Sequence, residues 1–483
     1  MNKRVVFHLV AIMTLVIGFA ITACAGISRL CDDPLSVQQA FVYAGLITMG
    51  VSLPTALLTR GNVNLGRRDG FGIVAIGWLA ATLFGSLPYL LSGTITDPVA
   101  ALFETMSGFT TTGATVLADI EAVPHGLLFW RALTHWFGGM GVLVLCVAIL
   151  PFLGVGGMQI YRAEMPGPFK DRLTPHIATT AKLLWGVYLL LTGTEILLLM
   201  LLGHMGLFDA TCHAFATIAT GGFSTRTASI AAYDSVTIEV ILTVFMFLSG
   251  INFSLHHQAL TGRPLRYFRD PECRAYFLFL AGCSLFLTFN IWASGMGTFT
   301  RCLRDACFTG TSILTTTGFC TADFDRWPEA SRMLLVLMMF VGASAGSTGG
   351  GMKVVRLMVV VKKFMREIRR FMRPTAAIQI KIGQTPVDQE TVSHISAFVL
   401  LYVLIFALCA FLMTFFTPDI VTAFTSVAAT LGNVGPGLNA VGATQNYAAI
   451  PASGQAVLII CMLLGRLEIY TVLLLFFPGF WHR

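Results

Sequence analysis

The sequence predicts an all-α polytopic membrane protein with an internal fourfold repeat, preceded by two further helices. Three observations predict this class: an apolar composition, ten apolar runs of spanning length, and four related short segments between them. Hydrophobic residues make up 55% of the 483-residue chain and charged residues only 11%, against about 25% charged in a soluble globular protein. This composition argues against a soluble multidomain protein, a disordered chain and a secreted disulfide scaffold.

Ten apolar runs have about the 20 residues that a bilayer core demands of a helix. They lie at roughly 5–27, 37–58, 71–92, 126–152, 181–204, 236–260, 274–296, 328–361, 394–417 and 453–480. The first run imitates a signal peptide because it follows Lys3 and Arg4. It is too long for a signal-peptide core of about 7–15 residues, so we predict a retained first helix.

The basic residues predict the orientation of these crossings. If Lys3 and Arg4 are cytoplasmic, ten crossings place both termini and every second loop inside. Of the 31 Lys and Arg residues, 23 then lie inside, seven lie outside, and Arg466 lies within a span. This is a strong positive-inside signal. The formal net charge of +7 therefore reflects topology, and we expect no nucleic-acid partner.

Four outer loops contain an apolar run of only about 11–14 residues, which favours a re-entrant helix over a crossing. An acidic residue near the start of each run suits a helix N-terminus; these are Asp97, Asp209, Asp305 and Asp419. Each run ends in small or hydroxyl residues and a glycine. The glycines are Gly113, Gly222, Gly318 and Gly435, at intervals of 109, 96 and 117 residues. The chain therefore repeats a unit of about 100 residues.

The segments that end these runs are called here loop 1 (110–113), loop 2 (219–222), loop 3 (315–318) and loop 4 (432–435). Non-helical backbone at membrane depth survives only where it is buried in protein or lines a wet cavity. Four such loops can converge on one axis, where their carbonyls would replace the hydration shell of a cation. The short helices would point their negative C-terminal ends at the same axis. The alternative is four ordinary outer loops whose Gly and Thr merely form turns.

We expect sixteen residues to bind the ion. They are Thr110, Thr111, Thr112, Gly113, Ala219, Thr220, Gly221, Gly222, Thr315, Thr316, Thr317, Gly318, Gly432, Asn433, Val434 and Gly435. Glycine lets the backbone turn its carbonyls inward without a Cβ clash. Four segments in register with the topology favour this interpretation over chance turns.

These loops, together with the two additional N-terminal helices, resemble the Trk/Ktr/HKT superfamily of potassium transporters, most closely its Trk-type membrane subunits. The similarity covers nearly the whole chain. It implies a pseudo-fourfold pore for K⁺, no bound cofactor, a homodimer in a bacterial inner membrane, and a cytoplasmic nucleotide-binding regulator of the TrkA type. All four expected filter glycines are present, and Gly113 stands where sodium-preferring plant relatives carry serine. Loop 4 departs from the Thr-rich pattern of the family.

The resemblance also implies a division of the chain. An accessory helix pair would cover residues 1–60, and four helix–pore-loop–helix repeats would cover 61–160, 161–262, 263–380 and 381–483. Their pore loops would lie at 97–114, 208–224, 303–320 and 419–437. The third repeat would also carry an intramembrane loop at 342–351.

That segment, called here the glycine-rich loop (342–351), has five glycines in ten residues. Each costs about 1 kcal/mol in a helix interior, so we expect a break in the eighth run. A Walker A motif is excluded because Met352 separates Gly351 from Lys353 and no Ser or Thr follows the lysine. We predict a flexible gate below the loops, and the alternative is a close helix contact. Its candidate gate residues are Gly346, Gly349, Gly350 and Gly351.

Arg466 is the second candidate gate element, in the middle of the last apolar run. A charge at a helix centre costs about 2.5–3.5 kcal/mol on insertion scales, so it should face an interior or wet cavity. Glu468 is two residues away, on a different helix face. In the family, an arginine at this position lies in the ion path as a barrier. Snorkelling or an ion pair, with Glu195 as a possible partner, is the alternative.

Two further alternatives stay open. The basic run 362–373 suits either anionic lipids or, by resemblance, docking of the regulator. A selective potassium pathway and a proton- or sodium-coupled symporter are both compatible with the loops, and Glu195 and Glu468 are the first candidates for proton binding.

A membrane enzyme is disfavoured because the sequence has no paired carboxylates or His/Asp set with usable spacing. There is no ATP-binding motif, so nucleotide control requires a separate subunit.

Overall fold

A computed structural model describes residues 2–61, 67–141, 177–373 and 378–481. In this part of the chain nearly all regular structure is helical, because backbone groups in a bilayer must be satisfied within their own segment. The strands that are described form one antiparallel pair, β1 (Lys381–Ile382) with β2 (Thr385–Pro386). The predicted all-α polytopic class is confirmed.

The helices of the first half are α1 (Lys3–Leu30), α2 (Leu35–Leu58), α3 (Arg67–Gly85), α4 (Leu87–Leu91), α5 (Pro98–Phe109), α6 (His125–Trp136), α7 (Ile177–Leu201), α8 (Leu207–Ile218), α9 (Val236–Ser249) and α10 (Phe253–Leu260). Those of the second half are α11 (Arg266–Arg269), α12 (Pro271–Ala293), α13 (Phe299–Leu314), α14 (Glu329–Val341), α15 (Val354–Met372), α16 (Gln389–Met413), α17 (Ile420–Leu431), α18 (Ala452–Arg466), α19 (Ile469–Leu473) and α20 (Pro478–Trp481). Shorter turns are a π-helical segment at Phe137–Gly141 and 3₁₀ segments at Ser229–Tyr233, Phe324–Arg326, Asn439–Val441 and Leu474–Phe476.

The two N-terminal helices pack along each other, and α1 also contacts α3 and α6. Small residues allow this close approach: a Cβ on Gly45 would overlap the Thr22 hydroxyl, and one on Gly18 would lie 2.8 Å from Met49 Cγ. The Ser52 hydroxyl donates to Thr14 Oγ1 at 2.7 Å. The contact thus has the small and hydroxyl residues that join helices within membranes.

Six described helical stretches are long and apolar enough to cross a membrane, or eight if two bent helix pairs each count as one. The sixth and tenth runs, predicted as single crossings, are those bent pairs. The sixth turns by 101° between α9 and α10, where the Asn252 side chain accepts from the Ser254 N–H and starts a new helix. The tenth turns by 118° after α18, where Glu468 has a φ of 59°. Residues 142–152 of the fourth run lie outside the described residues.

Four short helices, α5, α8, α13 and α17, precede the four loops. Helix α18 follows α17 and packs against both α17 and α5. In the same way, α6 follows α5 and packs against α8. The helix that follows one short helix therefore also contacts the short helix of another loop. Asp97 and Asp419 cap α5 and α17, as predicted. Asp209 lies in the first turn of α8.

Asp305 is placed differently from the prediction. Helix α13 begins at Phe299, because the Thr298 hydroxyl accepts the Arg301 N–H and caps it a full turn earlier. Asp305 therefore lies inside the helix, where its carboxylate pairs with Arg301 and Arg304 at 3.8 Å. The predicted repeat boundary at 160–161 lies outside the described residues.

Candidate functional site

The four loops share one backbone conformation. Each short helix ends immediately before the first residue of its loop. The second residue of each loop is left-handed: φ is 51° at Thr111, 55° at Thr220, 61° at Thr316 and 55° at Asn433. The fourth residue is glycine with a positive φ, 81° at Gly113, Gly222 and Gly318 and 100° at Gly435. A non-glycine residue in this region costs roughly 1–2 kcal/mol, and β-branched threonine is an outlier there.

A second fourfold feature fixes this conformation. The N–H of the third residue donates to the carbonyl five residues earlier in every loop. The pairs are Thr112 to Ser107 (2.9 Å), Gly221 to Ala216 (2.7 Å), Thr317 to Ser312 (2.8 Å) and Val434 to Ala429 (2.8 Å). The loops are therefore four copies of one structure, although their side chains differ.

The loops form a closed ring. A Cβ on Gly113 would overlap the carbonyl oxygen of Gly221 in loop 2. The same collision occurs between Gly222 and the Thr317 carbonyl, and between Gly318 and the Val434 carbonyl. A Cβ on Gly435 would lie 2.6 Å from the Thr112 carbonyl oxygen, which returns the ring to loop 1. At each contact only glycine fits.

All sixteen predicted residues lie in this ring. The first three residues of each loop are buried, and the fourth, glycine, is partly exposed in loops 1 to 3 and buried in loop 4. Hydroxyl pairs brace two loops, Thr110 with Thr112 and Thr315 with Thr317, each at 2.8 Å. Loop 4 lacks such a pair; instead, Asn433 Nδ2 donates to Thr112 Oγ1 in loop 1 at 3.0 Å.

A buried ion pair contacts the segments that directly follow loops 1 and 2. Arg131 Nε donates to Glu104 Oε1 at 2.6 Å, with side-chain exposures of 2% and 0%. Glu104 also accepts the Val116 N–H at 2.9 Å, just beyond loop 1. Arg131 donates to the Ser224 carbonyl at 3.0 Å and lies 3.6 Å over the Phe223 ring, just beyond loop 2. Sequence reasoning missed this pair, although an arginine within an apolar run was a signal for it.

Each short helix also fastens the segment that follows its own loop through a side-chain hydrogen bond. Besides Glu104 with Val116, the pairs are His213 with the Ser224 hydroxyl (2.9 Å), Ser312 with the Phe319 carbonyl (2.7 Å) and Thr425 with the Leu438 N–H (3.0 Å). Each loop is thus held between its short helix and the segment that follows it. This support lets the left-handed residues persist.

The short helices also set the electrostatics of the ring. Their C-terminal ends, which carry the negative partial charge of the helix dipole, coincide with the loops. Two of them, α5 and α17, begin at acidic caps, Asp97 and Asp419. At Asp419, partial burial raises the carboxyl pKa, but the Thr422 hydroxyl and N–H both donate to it, and the net shift is downward.

The glycine-rich loop lies directly against this ring. Helix α14 ends at Val341 and α15 begins at Val354, so the segment between them is not helical. The Gly350 N–H donates to Thr316 Oγ1 in loop 3 at 2.7 Å, and a Cβ on Gly350 would overlap the Gly432 carbonyl of loop 4. The Thr348 hydroxyl donates to the Ile218 carbonyl, at the end of α8, at 2.9 Å.

The remaining candidate gate glycines occupy tight positions in the same segment. Gly346 (φ 77°) faces the Asn252 side chain, and Gly351 (φ 71°) lies against Gly342. A Cβ on Gly349 would lie 3.0 Å from the Thr315 carbonyl oxygen. The glycines allow the segment to approach loops 3 and 4 closely.

Arg466 is the last residue of α18, at the 118° bend rather than in the middle of a straight span. Its guanidinium donates to the Thr348 carbonyl at 2.7 Å and to the Gly138 and Gly139 carbonyls at 2.6 and 3.1 Å. It therefore joins the glycine-rich loop to the segment after α6. Among the described residues, no ion pair connects it to Glu195, the partner considered from sequence.

The two glutamates considered for proton binding have different surroundings. Glu468 pairs with Arg356 Nη2 at 2.6 Å. Glu195, on α7, is fully buried. Its carboxyl lies near the Thr217 hydroxyl, which donates instead to the His213 carbonyl at 2.7 Å. In the described part of the chain, no three His, Cys, Asp or Glu side chains cluster as a metal site would require.

The chain is similar to a known family, to known sequences and to a solved structure. A sequence profile described as TrkH, cation transport protein, matches residues 37–482. The chain is 44% identical over 487 residues to the Trk system potassium uptake protein TrkH of Halomonas elongata, with both chains covered fully. It is 45% identical over 427 residues, 86% of each chain, to the protein of that name from Escherichia coli K12. The crystal structure of the potassium transporter TrkH from Vibrio parahaemolyticus matches with a TM-score of 0.89 and 37% identity over both full chains. The chain belongs to the TrkH family of cation transport proteins.

Proposed function

We propose that this chain takes up K⁺ across a bacterial inner membrane through the ring of four loops, as a transporter and not an enzyme. The observation that carries the proposal is the ring itself, in which four loops with one backbone conformation meet through glycine-to-carbonyl contacts. The relatives named above are potassium uptake proteins and a potassium transporter, which supports the choice of ion.

The chemistry of the ring suits a dehydrated monovalent cation. Backbone carbonyls that replace the hydration shell of the ion give a potassium filter its selectivity. The predicted sixteen residues supply carbonyls and threonine hydroxyls from all four sides, and the ends of four short helices add negative partial charge. K⁺ is cargo here, and no cofactor is needed.

The glycine-rich loop and Arg466 form the gate in this proposal. The loop contacts loops 3 and 4 through Gly350, on the side of the ring where the short helices end. Arg466 holds the loop through the Thr348 carbonyl and places a positive charge beside it. A cation leaving the ring on this side meets both an obstruction and an electrostatic barrier.

We further propose that both termini are cytoplasmic, as the distribution of basic residues predicts, and that the chain works as a homodimer with a TrkA-type nucleotide-binding subunit. Helix α15 extends from the glycine-rich loop and ends in a basic run. The exposed apolar side chains among these charges, including Phe364 and Phe371, suit either anionic lipid or the regulator. Proton- or sodium-coupled symport remains the second candidate, with Glu195 as its carboxyl because Glu468 is held by Arg356.

Purified protein in liposomes, without a partner, tests the proposal. Rb⁺ and Na⁺ fluxes are measured under an imposed voltage, with and without a pH gradient. We expect Rb⁺ flux to follow its own electrochemical gradient and to exceed Na⁺ flux. Equal Rb⁺ and Na⁺ fluxes would refute the selective ring, and uphill K⁺ movement driven by the pH gradient alone would establish the coupled carrier.

A further inference from the structure

A buried carboxylate closes the base of the glycine-rich loop. Glu272, the second residue of α12, has only 8% of its surface exposed. Its Oε1 accepts the Ala345 N–H at 2.7 Å and the Val355 N–H at 3.3 Å. One of these N–H groups lies in the loop and the other in the first turn of α15. A single oxygen atom therefore holds two points ten residues apart in the chain.

Two backbone hydrogen bonds hold the same part of the glycine-rich loop. The Val354 N–H donates to the Ala343 carbonyl at 3.1 Å, and the Ser344 N–H donates to the Gly250 carbonyl at 3.0 Å. These are bonds between neutral backbone groups. Hydrogen bonds to a carboxylate are about twice as strong as neutral ones, so Glu272 makes the strongest single contribution among the acceptors named here.

The start of helix α16 shows that a glutamate at the second position of a capped helix need not be buried. Helix α16 also follows a capping aspartate, Asp388, and also has glutamate as its second residue, Glu390. The Glu390 side chain is 85% exposed. At α12 the cap is Asp270, which accepts the Cys273 N–H at 2.7 Å. Capping is thus complete without Glu272, and its burial is explained by the loop that covers it.

Two charged groups act on this carboxylate, Asp270 from its own helix and Lys353 from the end of the loop. The Lys353 ammonium donates to the Gly349 carbonyl within the loop. Burial of an unpaired carboxylate is strongly unfavourable. Glu272 is therefore stable in its position only while the loop supplies its N–H donors.

We propose that Glu272 is a positioning residue of the gate, which fastens the glycine-rich loop in its obstructing position against loops 3 and 4. The inference rests on the proposed gating function of that loop. Without the carboxylate the loop loses its anchor at both ends of the 345–355 segment while the ring of four loops keeps its own contacts. Loss of Glu272 therefore opens the path without changing its selectivity.

The test measures Rb⁺ flux per folded protein in liposomes for E272A, E272Q, the matched control E390A, and a variant lacking residues 346–350. We expect E272A to raise flux several-fold toward that of the deletion variant, with an unchanged ratio of Rb⁺ to Na⁺ flux. E272Q should lie between E272A and the unchanged protein, because its amide oxygen still accepts hydrogen bonds. E390A should match the unchanged protein.

Hydrogen exchange supplies a readout independent of flux. The Ala345 and Val355 amides should exchange faster in E272A, whereas those of loops 1 to 4 should not. A monodisperse E272A protein with unchanged flux beside a leaky deletion variant would overturn the role of Glu272 alone. An E272Q variant as leaky as E272A would contradict its hydrogen-bond basis. If the deletion variant also failed to leak, the proposed gate itself would be wrong.

Discussion

Gly318→Ala tests whether the contact between loops 3 and 4 sets ion selectivity. The new Cβ would overlap the Val434 carbonyl oxygen and lie 2.8 Å from Pro436 Cδ. Neither atom ends a flexible side chain, so the two loops must separate by roughly 1.4 Å to restore normal contact distances of about 3.5 Å. The positive φ of 81° adds a conformational cost of roughly 1–2 kcal/mol.

The matched control is Gly295→Ala, between α12 and α13. Gly295 has a φ of 73°, but a Cβ there would meet nothing within 4 Å. Both variants should therefore lose about 1–2 kcal/mol of stability from the left-handed conformation, measured by thermal unfolding. Only Gly318→Ala should disturb the carbonyl ring.

Selectivity is a difference between two binding free energies, and each 1.4 kcal/mol of that difference is a factor of ten. We expect Gly318→Ala to lower the ratio of Rb⁺ to Na⁺ flux in liposomes at least tenfold, and Gly295→Ala to leave it unchanged. An unaltered ratio in folded Gly318→Ala protein would refute the reasoning, as would an equal loss in the control.

Three further substitutions test the gate role of Arg466, the ion pair between Arg131 and Glu104, and the alternative of a coupled carrier. Arg466→Ala removes the cation held by the Thr348 carbonyl, so Rb⁺ flux should rise; a loss of flux at normal expression would argue against a barrier. Arg131→Met leaves the Glu104 carboxylate buried without its cation, which should cost about 3–5 kcal/mol in unfolding experiments. Replacing Glu104 as well should recover part of that stability, and a double variant less stable than the single one would contradict the pairing. Glu195→Gln should leave flux and its pH dependence unchanged, whereas loss of pH-driven transport would identify the coupled carrier.

The sequence predicted the features that depend on local chemistry. Asp97 and Asp419 cap short helices because a carboxylate suits a helix N-terminus wherever it occurs. The glycines were recognised because their spacing repeats with the topology. The inferred resemblance to Trk-type potassium transporters is confirmed by the family match.

The features that were missed arise from contacts between distant segments. Thr111 and Thr316 adopt left-handed backbone that threonine avoids on its own, and the contacts at both ends of each loop sustain it. The bend at Glu468 accompanies its pairing with Arg356, 112 residues earlier. Glu272 and Ala345 are 73 residues apart, and no local pattern distinguishes Glu272 from the exposed Glu390.

The most direct test of the ring locates the ion itself. Crystals of the protein grown with Rb⁺ or Tl⁺ should give an anomalous scattering peak on the axis between the carbonyls of Thr112, Gly221, Thr317 and Val434. Replacement by Na⁺ should abolish it. Anomalous peaks only elsewhere in the protein, with none among these four carbonyls, would contradict the assignment of the loops as the potassium filter.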